Sequence, residues 1–129
     1  MAVYAQVMER MTEYTRLASI TADQFKFTTT IVIRGVLDAD GIEGLKRSLS
    51  RWSDKYPKEQ GIDLCIEVRD TSFRRRSDGE KIPECRVVAN FCLHRTDGML
   101  RRYTRLDEAL SEKVGRYVLR RSLALERAK

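Results

Sequence analysis

CRVVANFCLHRTDGMLRRYTR, residues 85–105, holds two runs of side chains on either side of a turn signal. Val87, Ala89, Phe91 and Leu93 recur at every second position, the period of a strand with one buried face. Thr96-Asp97-Gly98 follows. Asp-Gly between strand-like runs is a strong hairpin signal, because the favoured two-residue turns need positive φ. Residues 99–105, MLRRYTR, are therefore expected to return as a short fourth strand. That strand would put Arg101, Tyr103 and Arg105 on one face.

Working back from this segment, residues 70–84 read as a polar loop with an Asp78-Gly79 turn. Residues 62–69 alternate strictly, Ile62, Leu64, Ile66 and Val68 one way and Asp63, Cys65, Glu67 and Arg69 the other. Residues 39–56 carry Ile42, Leu45, Leu49, Trp52 and Tyr56 at three- and four-residue steps, the stripe of a core-facing helix. Asp38 or Asp40 can cap its start and Pro57 ends it. Residues 25–37, FKFTTTIVIRGVL, are β-branched and aromatic, a strand with Gly35 near its end. Residues 3–18 are expected to form an amphipathic helix on Tyr4, Val7, Met8, Met11, Tyr14 and Ala18. Its stripe suits core or a homodimer contact, with Val7, Met8, Met11 and Tyr14 as the seam. Downstream, residues 107–127 form a last helix with Leu110, Val114, Tyr117, Val118 and Leu125 inward. Glu112, Arg116, Arg120, Leu123 and Arg127 run down another face.

The expected architecture is α+β, a single domain over 1–129, with the N-terminal helix in 1–20 and a core over 25–129. The order is α-β-α-β-β-β-α, with a mostly antiparallel four-stranded sheet and helices packed on one face. The helix after the first strand supplies the crossover that a returning strand needs.

The chain has 129 residues, net charge +6 and 42% hydrophobic content, enough for a core without disulfides or metal. Residues 95–129 hold ten Lys/Arg against five Asp/Glu, net +5, while residues 63–94 hold six of each. A basic segment beside a balanced remainder points to a polyanionic partner. No run of about 18 apolar residues is present, so no membrane span is expected. The N-terminal segment lacks the layout of a signal peptide, which makes the cytoplasm the expected compartment. Cys65, Cys85 and Cys92 have no CxxC spacing and read as buried or half-buried free thiols.

The catalytic inventory is thin. His94 is the single histidine, and neither a GxSxG elbow nor a phosphate-binding glycine motif occurs. No catalytic residue, metal ligand set or cofactor is expected. The chemistry that remains is binding. Arg101, Arg102 and Arg105 can neutralise phosphates, and Tyr103 can stack on a base or pack inward. Arg116 and Arg120 extend this set along the last helix, and Arg74, Arg75 and Arg76 add a third basic segment. The expectation is a non-enzymatic nucleic-acid-binding protein for structured RNA or the ribosome. The alternative is a homodimeric interaction module or inhibitor that docks on an acidic protein through the same arginines with Leu119 and Leu123.

From residue 27 onward the order β-α-β-β-β-α resembles the core of the ribosome hibernation-promoting factor family. The resemblance rests on TTTIVIRGV (28–36), LKRSLSRW (45–52), the 85–105 segment and LDEALSEKVGRYVLRRSLALERAK (106–129). It implies binding of ribosomal RNA through the closing hairpin and basic helix. From residue 38 the order is also similar to the double-stranded-RNA-binding domain, in which Arg101, Arg102 and Arg105 match a basic run entering the last helix. Either resemblance implies contact with RNA phosphates at this end of the chain.

Overall fold

The computed structural model describes residues 11–20, 24–56, 61–94 and 98–127, with backbone alone at 11–20, 125 and 126. The chain is α+β. Its elements are β1 (Met11–Ile20), β2 (Gln24–Arg34), α1 (Ala39–Ser53), β3 (Ile62–Asp70), β4 (Phe73–Arg74), β5 (Lys81–Ile82), β6 (Glu84–His94) and α2 (Met99–Arg127). The main sheet has the order β1-β2-β6-β3, and every neighbouring pair is antiparallel. Because β6 lies between them, β2 and β3 run parallel and α1 makes the crossover.

The period of two sorts the central strands onto two faces. Phe27 sits opposite Phe91, and Phe91 opposite Leu64; Ile31, Val87 and Val68 form a second such row. These side chains are buried and share one core with Ile42, Leu45 and Leu49 of α1 and Leu106, Leu110, Val114 and Val118 of α2. Both helices therefore cover the same face of the sheet. α1 starts where the Asp38 carboxylate accepts a hydrogen bond from the Gly41 N–H at 2.7 Å, which satisfies one of the orphan donors of the first turn.

Two expectations change. Residues 99–105 are the first turns of α2, not a strand. The helical period of the last segment extends back through its buried positions, Met99, Tyr103, Leu106 and Leu110, which step by four, three and four. Gly98 does adopt the positive φ its turn signal requires, 78°, but it stands immediately before a helix. The sheet's fourth strand lies instead at the other end of the chain. Residues 11–20, expected within a helix, form β1 against β2, with Tyr14 opposite Ile31 and Ala18 opposite Phe27. A ladder with β2 satisfies backbone groups across the whole segment and accommodates its β-branched and aromatic residues, Thr12, Tyr14, Thr15 and Ile20. Met11 and Tyr14 thus occupy strand positions, and a helical dimer seam is not formed there. Val7 and Met8 lie outside the described residues.

The 70–84 segment is more ordered than a plain polar loop. It carries the two-stranded ribbon β4–β5, an arm closed by Arg75, which pairs with Asp78 at 2.6 Å and with Glu80 at 2.8 Å. Glu84 anchors its base, accepting hydrogen bonds from Thr71 Oγ1 and Arg34 Nε, each at 2.9 Å. Of the cysteines, Cys85 is buried and Cys92 half-buried, whereas Cys65 is exposed on the face of β3 turned away from the helices.

Candidate nucleic-acid interface

α2 owes its orientation to a polar pin in the core. Thr29 Oγ1 donates a hydrogen bond to Asp107 Oδ1 at 2.7 Å, both residues being buried. The Tyr103 hydroxyl approaches Thr29 Oγ1 at 3.5 Å, and the Tyr103 ring stacks on Phe27 with centroids 3.8 Å apart. Tyr103 is 7% exposed, so of the two roles open to it, packing inward is the one it takes. With Tyr103 and Asp107 turned to the sheet, helical geometry turns Arg101, Arg102 and Arg105 to the surface, and all three are exposed.

The same geometry lines up the rest. At about 100° per residue, Arg102, Arg105, Ala109, Lys113, Arg116 and Arg120 fall within roughly a third of the helix circumference. The stripe extends about 27 Å along the axis. The opposite flank carries Thr104, Glu108, Ser111 and Gly115 with Arg101 at its edge, so Arg101 lies outside the stripe. Arg121 stands apart, paired with Asp38 at 3.1 Å at the start of α1.

The basic stripe borders a groove between α2 and the end of α1. One cavity, of about 520 Å³, is bordered by Trp52, Ala109, Lys113, Arg116, Leu119 and Arg120, with Glu112. A second, of about 700 Å³, is bordered by Tyr56, Ile62, Arg102, Arg105, Leu106 and Ala109. Ala109 borders both. Trp52 and Tyr56 meet edge to face at 5.4 Å and 70°. Both rings are half-buried and pack on the core. Among the described residues, five cations and one carboxylate line the two cavities, and that carboxylate, Glu112, pairs with Arg116. Such a recess concentrates positive potential over a partly apolar floor.

Compared with known families, curated proteins and solved structures, the chain matches none. The element order that carried its family resemblances is altered, because their closing strand, 99–105, is helical.

The third basic segment does not join the groove's first half. The arm with Arg74, Arg75 and Arg76 is tied to β6 at Glu84, while α2 begins beyond its other end, His94. Eleven residues of strand place these ends about 33 Å apart. Arg75 is also engaged by Asp78 and Glu80, and Arg74 donates to the Gly79 carbonyl at 3.1 Å. The Arg75 guanidinium holds the Asp78 carboxyl below its ordinary range. Leu119 and Leu123 are half-buried, and Leu119 packs on the core.

Sequence reasoning missed Trp52, Tyr56 and Ala109 as parts of a site, while Lys113 is one of the last-helix cations it pointed to. The signal was present in the spacing 102, 105, 109, 113, 116, 120, which becomes visible once 99–105 is read as helix. His94 is exposed and borders a cavity of about 200 Å³ with Asp63 and Cys92. Cys92 and His94 stem from alternate positions of β6 and so share one face of that strand. Among the described residues no group of three or more His, Cys, Asp or Glu is placed to hold a metal, and no helix is long and apolar enough to cross a membrane.

Proposed function

We propose that this protein is a non-enzymatic, cytoplasmic RNA-binding protein that engages structured RNA, the ribosome being one such target, through the groove between α1 and α2. One observation carries the reading: the cations of α2 from Arg102 to Arg120 line one side of the helix, against a recess with two aromatic rings. Cations spread for solubility alone have no reason to share a face. The alignment supports contact with a series of phosphates along one strand, with Arg102, Arg105, Lys113, Arg116 and Arg120 as the contacts.

The measurement is fluorescence anisotropy with a labelled structured RNA across 50–300 mM salt. If the five cations engage phosphates, log K falls against log salt with a slope of about −3 to −4. Each single Arg→Gln change on the stripe lowers the slope by about one. An absence of RNA binding at the lowest salt, or a flat salt response, overturns the proposal. The apolar part of the groove, Trp52 with Leu106 and Leu119, favours a second reading in which an acidic amphipathic helix of a partner protein lies there. Purified protein that carries an acidic polypeptide and no nucleic acid supports that second reading over the first.

A further inference from the structure

We infer that the groove takes unstacked nucleotides, so that its preferred RNA is single-stranded or bulged rather than continuous duplex. This inference rests on the RNA-binding reading above. It starts from what the groove has beyond charge. Duplex phosphates are met by cations on an open face, and paired bases lie stacked inside the helix, out of reach of a protein's aromatic rings. Here the cations rim a recess whose floor is apolar: Tyr56, Ile62, Leu106 and Ala109 between Arg102 and Arg105. A phosphate gains nothing from such a floor. A base does, because every base has a π face to lay against an aromatic or aliphatic wall while its own phosphate remains at the rim.

The geometry assigns the parts. Arg102 and Arg105 are one helical turn apart on the exposed side of α2 and flank the mouth of the larger cavity. They hold the phosphate next to a base that enters against Tyr56. Ala109 also borders the next cavity, where Trp52 provides the second ring and Lys113, Arg116 and Arg120 the next cations. The strand therefore tracks along α2 and offers its bases toward α1. The row of cations selects a polyanion, and the apolar floor selects one whose bases are free.

Trp52 is the single tryptophan of the chain and borders the groove, so its fluorescence reports occupancy directly. Three labelled RNAs distinguish the outcomes: an unstructured 12-mer, the same sequence as a duplex, and that duplex with a bulge. The unpaired and bulged RNAs are expected to bind about tenfold tighter than the duplex and to quench Trp52. Tyr56→Ala is expected to shrink that preference several-fold, with Tyr56→Phe restoring it. Ala109→Leu, which fills the floor and leaves the core untouched, provides the same test should Tyr56→Ala fail to fold. Equal affinity for all three RNAs, or a silent Trp52 on binding, overturns the inference while leaving RNA binding in place. Polyglutamate displacing the 12-mer as effectively as unlabelled 12-mer also overturns it, since the site then reads charge alone. No binding to any RNA overturns the function itself.

Discussion

Thr29 and Asp107 form the pair on which the rest of α2 depends. A buried carboxylate and a buried hydroxyl at 2.7 Å hold the third turn of the helix against the middle of β2. Thr29→Val keeps the shape and removes the donor. A hydrogen bond to a charged group contributes about 1.5–3 kcal/mol, so urea unfolding should show a loss in that range. Loss below about 0.5 kcal/mol would mean the pair does not fix the helix. Cys85 gives a second residue-level expectation. Burial, with Asp70 and Glu84 nearby, pushes its thiol up from 9.0 to about 12. The thiol form is therefore favoured by folding. Its contribution is complete below pH 9 and is lost as the pH rises toward 12. Cys85→Val should unfold with less pH dependence over that window in urea titrations. In native protein near pH 8, exposed Cys65 should react with an alkylating reagent and Cys85 should not, as read by mass spectrometry. The exposed position of Cys65 was not legible from residue type, because cysteine is as a rule buried; the alternation of Ile62–Asp70 gave it away.

Among the elements, α1 makes room for Tyr117 of α2 at Gly44. A methyl group placed there would fall on the Tyr117 hydroxyl, which donates to the Gly41 carbonyl at 2.7 Å. Alanine gains about 1 kcal/mol of helix propensity over glycine. Overpacking costs about 1–3 kcal/mol, and here it also breaks that hydrogen bond. Gly44→Ala should thus lower the urea midpoint, and adding Tyr117→Phe should recover part of the loss. A stabilised Gly44→Ala would show that the ring moves aside freely. The elements themselves were unequally legible. β2, α1, β3 and β6 follow from local periodicity, since each buries one regular stripe. The two that failed share a cause: both segments fit two periods. In 99–105 a strand reading pairs Arg101, Tyr103 and Arg105, while a helix reading links Tyr103 to Leu106 and Leu110. The choice depends on Phe27 and Phe91, which pack on Tyr103 from distant positions in the chain. In 11–20 the deciding partner is likewise β2, whose far edge needs a ladder.

For the molecule as a whole, the charge surplus of residues 95–129 was legible at once, and its arrangement was not. A basic tail says only that a polyanion is favoured. The stripe, the groove and its two rings exist because α1 and α2 are laid side by side on one sheet. Charge reversal separates the two ends of the molecule. Arg105→Glu with Arg116→Glu should weaken RNA binding by at least about a hundredfold at 100 mM salt, given the loss of two phosphate contacts and the gain of two repulsions. Arg76→Glu, on the arm, should change it less than threefold by the same anisotropy measurement. Equal effects from both ends would move the binding surface toward the arm.

The near-contact at Gly44 has a mechanical side. It lies close to the Asp38 end of α1, whereas Trp52 stands eight residues further on, about 12 Å along the axis. A methyl at Gly44 acts between α1 and Tyr117 of α2, away from the groove that Trp52 and Ala109 border. The spacing of the two helices, and with it the width of that groove, is thus open to adjustment from a position that does not line it.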